Sequence, residues 1–267
     1  MIDRKKLFIP LLVVMAAGIL IELKYTDPYT GYAVEPAALI YSIAVVGLCI
    51  ALLIAAAFIA GRGKLYALDA AEPSSFILLS GIIAAAAGAL RLIGHFTGWK
   101  RVTVGKGQEF HFRVMLIAAV FAIIYAVWTV SAKRKGFVGC STALSVFAAG
   151  WYVLRVVEYE TSGAMNVHRW RDHLVLIGCL AAFIALARIL NICASEERAL
   201  GNDSKLMLLA SAAAAICGSV PGAVTYMATG DAVMAMYALS DAAVGIFAAV
   251  ILTGHIGEIE ENDEENE

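Results

Sequence analysis

Residues 204–256 read SKLMLLASAAAAICGSVPGAVTYMATGDAVMAMYALSDAAVGIFAAVILTGHI. Two apolar blocks, 204–227 and 232–256, are joined by Ala228-Thr229-Gly230-Asp231 alone. At a helical rise of about 1.5 Å per residue, each block is long enough to cross a hydrocarbon core of roughly 30 Å. Asp203-Ser204 supplies a helix-start signal, and so short a link forces the two helices into an antiparallel hairpin.

Six more blocks of the same kind precede this hairpin, at 7–23, 36–60, 75–96, 112–131, 140–157 and 173–192. The expected fold is all-α, a polytopic membrane helix bundle of eight transmembrane spans forming a single domain over 1–257. The 7–23 and 140–157 blocks are the shortest. Arg4, Lys5 and Lys6 before the first block resemble the start of a signal peptide. The apolar run continues through Ile19, Leu20 and Ile21 with no Ala-x-Ala site after it, so it reads as a retained helix.

Composition agrees. The 267 residues are 61% hydrophobic and 16% charged, which a soluble domain of this size cannot bury. The five cysteines lie in or beside apolar blocks without a Cys-x-x-Cys pair, which argues against a disulfide framework or zinc ribbon. The net charge of −2 hides an asymmetry, because seven of the 22 acids fall in residues 258–267, leaving 15 against 20 bases elsewhere. That acidic tail is expected to be disordered, solubilising, and available to a basic protein partner.

Lys and Arg in the loops set the orientation. With the N-terminus inside, ten lie on the cytoplasmic side, including Lys133, Arg134 and Lys135, against seven outside. Both termini are therefore expected in the cytoplasm, with the protein in the plasma membrane. Spans three to six suggest a duplicated helical hairpin: Ala89-Leu90-Arg91-Leu92-Ile93 aligns with Val153-Leu154-Arg155-Val156-Val157, 64 residues on.

Asp241 is the most informative residue. It lies ten positions into the last block, roughly 15 Å along the helix, where an acid facing lipid costs at least a few kcal/mol. It must face the bundle interior, with Ser240 beside it and Arg91 or Arg155 as partner. Snorkelling towards headgroups is the competing account for both arginines, as for Arg188, and Glu22 near Lys24 reads as interfacial. In Cys217-Gly218-Ser219-Val220-Pro221-Gly222, Pro221 removes a helical hydrogen bond between two glycines, which marks a possible hinge of the kind found in transporters. Ser80, Ala84 and Gly88 form a small-residue face for close helix packing.

On the outer side, His95, His111, Glu158, His168 and His173 form a looser cluster whose spacing matches no metal motif. Arg113, Arg169, Trp170 and Arg171 suit lipid headgroups, and Trp99, Trp151 and Trp170 suit an interfacial belt, with a deeper place open to Trp151. No cofactor is called for. Gly61-Arg62-Gly63-Lys64 lacks the loop of a Walker motif, and the basic loops are too short for nucleic acid.

Three readings stay open. One is a small-solute or ion transporter, or a channel-like protein, with its polar site around Asp241. Another is a non-catalytic sensor or assembly protein whose buried charges fix helix register. The third is a membrane enzyme acting on a lipid or lipid-linked substrate, though the residues favour a non-enzyme.

Overall fold

The computed structural model describes residues 4–25, 66–68, 75–97, 109–161, 170–195, 199–200, 202–230, 232–254 and 256–258, with the single positions 27, 40, 43, 44, 47 and 51. Among these residues the chain forms seven long helices: α1 (Arg4–Tyr25), α2 (Ile77–Thr97), α3 (Glu109–Lys135), α4 (Thr142–Thr161), α5 (Trp170–Ser195), α6 (Asn202–Ala228) and α7 (Ala232–Gly254). Five of them, α2, α3, α5, α6 and α7, are long and apolar enough to cross a membrane. The architecture is a helical membrane bundle. Most of the expected 36–60 span lies outside the described residues; Ile40, Ile43, Ala44, Gly47 and Ala51 within it are helical and exposed.

The helix ends follow from local chemistry. Glu109 opens α3 and Lys133, Arg134 and Lys135 close it, each charge placed favourably against the helix dipole. Gly136 then takes φ 72°, a left-handed conformation cheap only for glycine, and its N–H bonds the Ala132 carbonyl at 2.9 Å. Ser141 caps the next helix through its hydroxyl, which accepts from Leu144 N at 3.4 Å. Gly230, at φ 79°, makes the tight turn of the α6–α7 hairpin.

The expected span boundaries shift in one place that matters. The apolar run predicts an end at Val157, but α4 continues to Thr161. Its last turns carry Arg155, Glu158 and Glu160, so the helix is less apolar than its neighbours, yet Arg155 and Glu158 are buried. At the other end of the chain, α7 stops at Gly254 and Ile256–Glu258 forms β3. It pairs antiparallel with β1 (Tyr66–Leu68), which also pairs with β2 (Ala199–Leu200), giving the order β2-β1-β3. Glu258, the first acid of the tail, is thus opposite Tyr66; residues 259–267 lie outside the described residues.

Packing is most extensive along α5–α6–α7 and between α2 and α3, while α1 lies against α6 and α7 also touches α2. Small residues bring the helices close. The Ser80–Ala84–Gly88 stripe is buried: Ser80 donates to the Ala243 carbonyl at 2.7 Å, and a Cβ on Gly88 would sit 2.6 Å from the Ala119 carbonyl oxygen. Large aliphatics such as Ile82, Val127 and Val146 face outward, more than half exposed, as a lipid-facing surface requires. One end of the bundle core is filled by aromatic rings. Trp151, for which the sequence allows either the interfacial belt or a deeper place, takes the deeper one: it is only 1% exposed and stacks on Tyr125 at 4.5 Å between ring centroids. Tyr152 donates to the Tyr125 hydroxyl at 3.1 Å, and Trp128 packs on Phe247.

A candidate polar site inside the bundle

Above that aromatic layer the bundle holds a cavity of about 180 Å³ whose walls carry most of the buried charge. Arg155 on α4 reaches Asp241 on α7. Its Nε donates to Asp241 Oδ1 at 2.9 Å and its Nη2 to the same oxygen at 2.5 Å. The Tyr159 hydroxyl donates to Asp241 Oδ2 at 2.6 Å. Arg155, Glu158 and Tyr159 are spaced three and four residues apart, so one face of α4 presents all three. Arg155 Nη1 also bonds Glu158 Oε2.

Arg91 does not touch Asp241. Its Nη1 donates to Glu158 Oε1 at 2.6 Å, so Glu158 links α2 to the Arg155–Asp241 pair. The Arg91 guanidinium also lies 5.0 Å over the Tyr237 ring, a cation–π contact. Ser240 turns away from this network: its hydroxyl donates to the Tyr237 carbonyl of its own helix at 2.6 Å. Asp241 is 1% exposed and Arg155 4%, so neither arginine nor acid relies on snorkelling here. Charges this deep are tolerated only when matched and hydrogen-bonded.

A second ion pair borders the same cavity. Arg171 on α5 donates to Glu22 on α1 at 3.1 Å and to the Tyr226 hydroxyl on α6 at 3.3 Å. Both charged partners are buried, although sequence alone places Glu22 at an interface and Arg171 among lipid phosphates. Gly218 and Gly222 make room for it. A Cβ on Gly222 would lie 3.1 Å from Arg171 Nη1, and one on Gly218 would lie 2.7 Å from the Arg171 carbonyl oxygen. Pro221 sits between them inside α6, and its carbonyl accepts from Thr225 Oγ1 at 3.1 Å.

The outer cluster expected from sequence is not gathered in one place. His111 lines the cavity and shares a 3.1 Å hydrogen bond with Thr161 Oγ1, while His95 is exposed and packs on Phe96 and Phe112. His173 is half-buried near the start of α5, and His168 lies outside the described residues. Among the described residues, no three His, Cys, Asp or Glu side chains are grouped to hold a metal ion.

Sequence reasoning misses Tyr226, Tyr237 and Ser219, all on the cavity wall. Only their helical spacing towards Gly222 and Asp241 hints at them. The site draws on every described helix: Glu22, Arg91, His111, Arg155, Arg171, Tyr226 and Asp241 come from α1 to α7 in turn. Comparison of the chain with protein-family models, with curated proteins and with solved structures finds no match.

Proposed function

We propose that this protein moves a small solute or ion across a membrane through the polar cavity between α2, α4, α5, α6 and α7. The observation that carries this reading is the cavity itself, a charged space of about 180 Å³ within an apolar bundle, with Arg155 and Asp241 on its wall. Charge in such a place is expensive and is most readily explained by a hydrophilic passenger. Tyr125, Trp128, Trp151 and Tyr152, buried and packed on one another, are not part of the cavity lining. A passage that reaches both faces requires a rearrangement, and α6, continuous through Pro221, resists bending least there, where the flanking Gly218 and Gly222 line the cavity.

The same proposal takes the chain as an eight-span protein of the plasma membrane with both termini in the cytoplasm. It keeps the duplicated hairpin over spans three to six, on the sequence likeness around Arg91 and Arg155. Lipid headgroups and a basic protein partner for the acidic tail complete it.

A second reading has its own support. Arg155, Glu158 and Asp241 satisfy one another, as charges that only fix helix register in a sensor or assembly protein do. Uptake assays separate the two. Proteoliposomes holding the full chain, loaded against a panel of small anions, cations and neutral solutes, take up at least one faster than empty vesicles if the protein transports. Uniform leakage rates across the panel favour the assembly reading.

A further inference from the structure

The arginines of the cavity are buried and paired, but Arg113 and Arg134 of α3 are exposed. Among the described residues neither of these two guanidiniums has an ion-pair partner. Between them the exposed positions of the helix are all aliphatic: Ile117, Val120, Ile123, Val127 and Val130. Steps of three and four residues put these side chains on one helix face, with an arginine at each end. The opposite face carries Ala118, Tyr125 and Trp128 into the bundle.

The length of the stripe identifies what covers it. Arg113 and Arg134 are 21 residues apart (134 − 113), about 31 Å along the axis at a rise of 1.5 Å per residue. A hydrocarbon core is roughly 30 Å thick, so a stripe that spans it delivers each guanidinium to the level of the headgroups. There an arginine offers a planar fork of donors that matches the oxygens of a phosphate. The two ends differ in their neighbours. Lys135 is exposed beside Arg134, whereas Glu109 is exposed one turn before Arg113, so a phosphate is held more firmly at Arg134.

We propose that Arg113 and Arg134 each bind the phosphate of a membrane phospholipid, one in each leaflet, with acyl chains lying on the aliphatic stripe between them. Anionic headgroups bind in preference to zwitterionic ones, whose own cation competes with the arginine. The site makes the headgroup contact proposed above specific and is independent of transport: failed uptake leaves it standing, and failed lipid binding leaves the cavity. The two phosphate levels also set the depth of that cavity. Ser80 bonds both the Tyr125 hydroxyl and the Ala243 carbonyl, so Ala243 is about level with Tyr125, twelve residues after Arg113 and nine before Arg134. Asp241, two residues from Ala243, thus lies near mid-membrane, while His111 on the same cavity wall lies at the headgroup level of Arg113.

The test is the melting temperature of the purified full chain in detergent, titrated with short-chain phosphatidylglycerol, short-chain phosphatidylcholine and inorganic phosphate. Phosphatidylglycerol raises it saturably and at lower concentration than phosphatidylcholine, and inorganic phosphate leaves it unchanged. Arg134→Gln needs severalfold more phosphatidylglycerol for the same rise, Arg113→Gln needs a smaller excess, and Arg134→Lys stays near the unaltered chain. The proposal is overturned if both glutamine variants respond as the unaltered chain does, if phosphatidylcholine acts as strongly as phosphatidylglycerol, or if inorganic phosphate alone reproduces the rise. A second measurement needs neither arginine variant. Nitroxide labels on Ile117→Cys, Ile123→Cys and Val130→Cys, in lipid nanodiscs and a folded chain whose native cysteines are serine, are read for depth by collision with oxygen and a water-soluble relaxant. Ile123→Cys is deepest and the other two are about equally shallow; a steady change of depth from one end of the stripe to the other overturns the proposal.

Discussion

Arg91 and Arg155, on different helices and 64 residues apart, bond opposite oxygens of one carboxylate, that of Glu158. Through it, α2 is tied to α4, and Arg155 carries the tie on to Asp241 in α7. The arrangement alternates base, acid, base, acid, so removing any one member leaves the buried chain with one charge in excess.

That alternation predicts strong coupling. Asp241→Asn leaves the Arg155 charge buried without its principal partner, and the expected loss of stability is about 3–5 kcal/mol. Arg155→Gln costs a similar amount. The double variant is expected to cost clearly less than the sum, which thermal or denaturant unfolding in detergent reads as a coupling energy. Additive losses contradict the pairing.

Tyr159→Phe is a gentler probe of the same carboxylate. It removes the hydroxyl donated to Asp241 Oδ2 and keeps the ion pair with Arg155. A hydrogen bond to a charged group is worth about 1.5–3 kcal/mol, so unfolding at correspondingly milder conditions is the expected result.

The Arg171–Glu22 pair anchors α1 to the bundle. Glu22→Gln keeps the shape but removes the charge, and a loss of about 3 kcal/mol is expected for a pair so deeply buried. Limited proteolysis or amide exchange within α1 registers it as earlier release of that helix, ahead of α6 and α7.

Two glycine-to-alanine changes are predicted to have opposite signs. Gly88→Ala puts a methyl 2.6 Å from the Ala119 carbonyl oxygen, so α2 and α3 must part, at a cost of about 1–3 kcal/mol. Gly47 is itself helical and exposed, with nothing within 4 Å of the added carbon. Gly47→Ala is expected to stabilise by about 0.5–1 kcal/mol through helix propensity alone. Melting temperatures of the two variants check the contrast.

Some of the site is legible in the sequence for a definite reason. An acid in an apolar run must be matched, so Asp241 announces itself, and the long arginines of neighbouring spans are its natural partners. Glu158 and Tyr159 are harder to read. The apolar run stops at Val157 while the helix continues, because Arg155, Glu158 and Tyr159 face the bundle and need no apolar neighbours, while Glu160 is exposed. The Glu22–Arg171 contact joins residues 149 apart, and no local pattern encodes such a pair. The membrane class is legible from the length and apolar composition of the blocks.

Solute uptake by proteoliposomes, compared between the unaltered chain and two variants, tests the central claim most directly. Asp241→Asn and Tyr159→Phe, each first shown by gel filtration and circular dichroism to remain folded, are expected to lower uptake of the transported solute at least tenfold and severalfold respectively. Full uptake by folded Asp241→Asn protein contradicts a transport site built around Asp241.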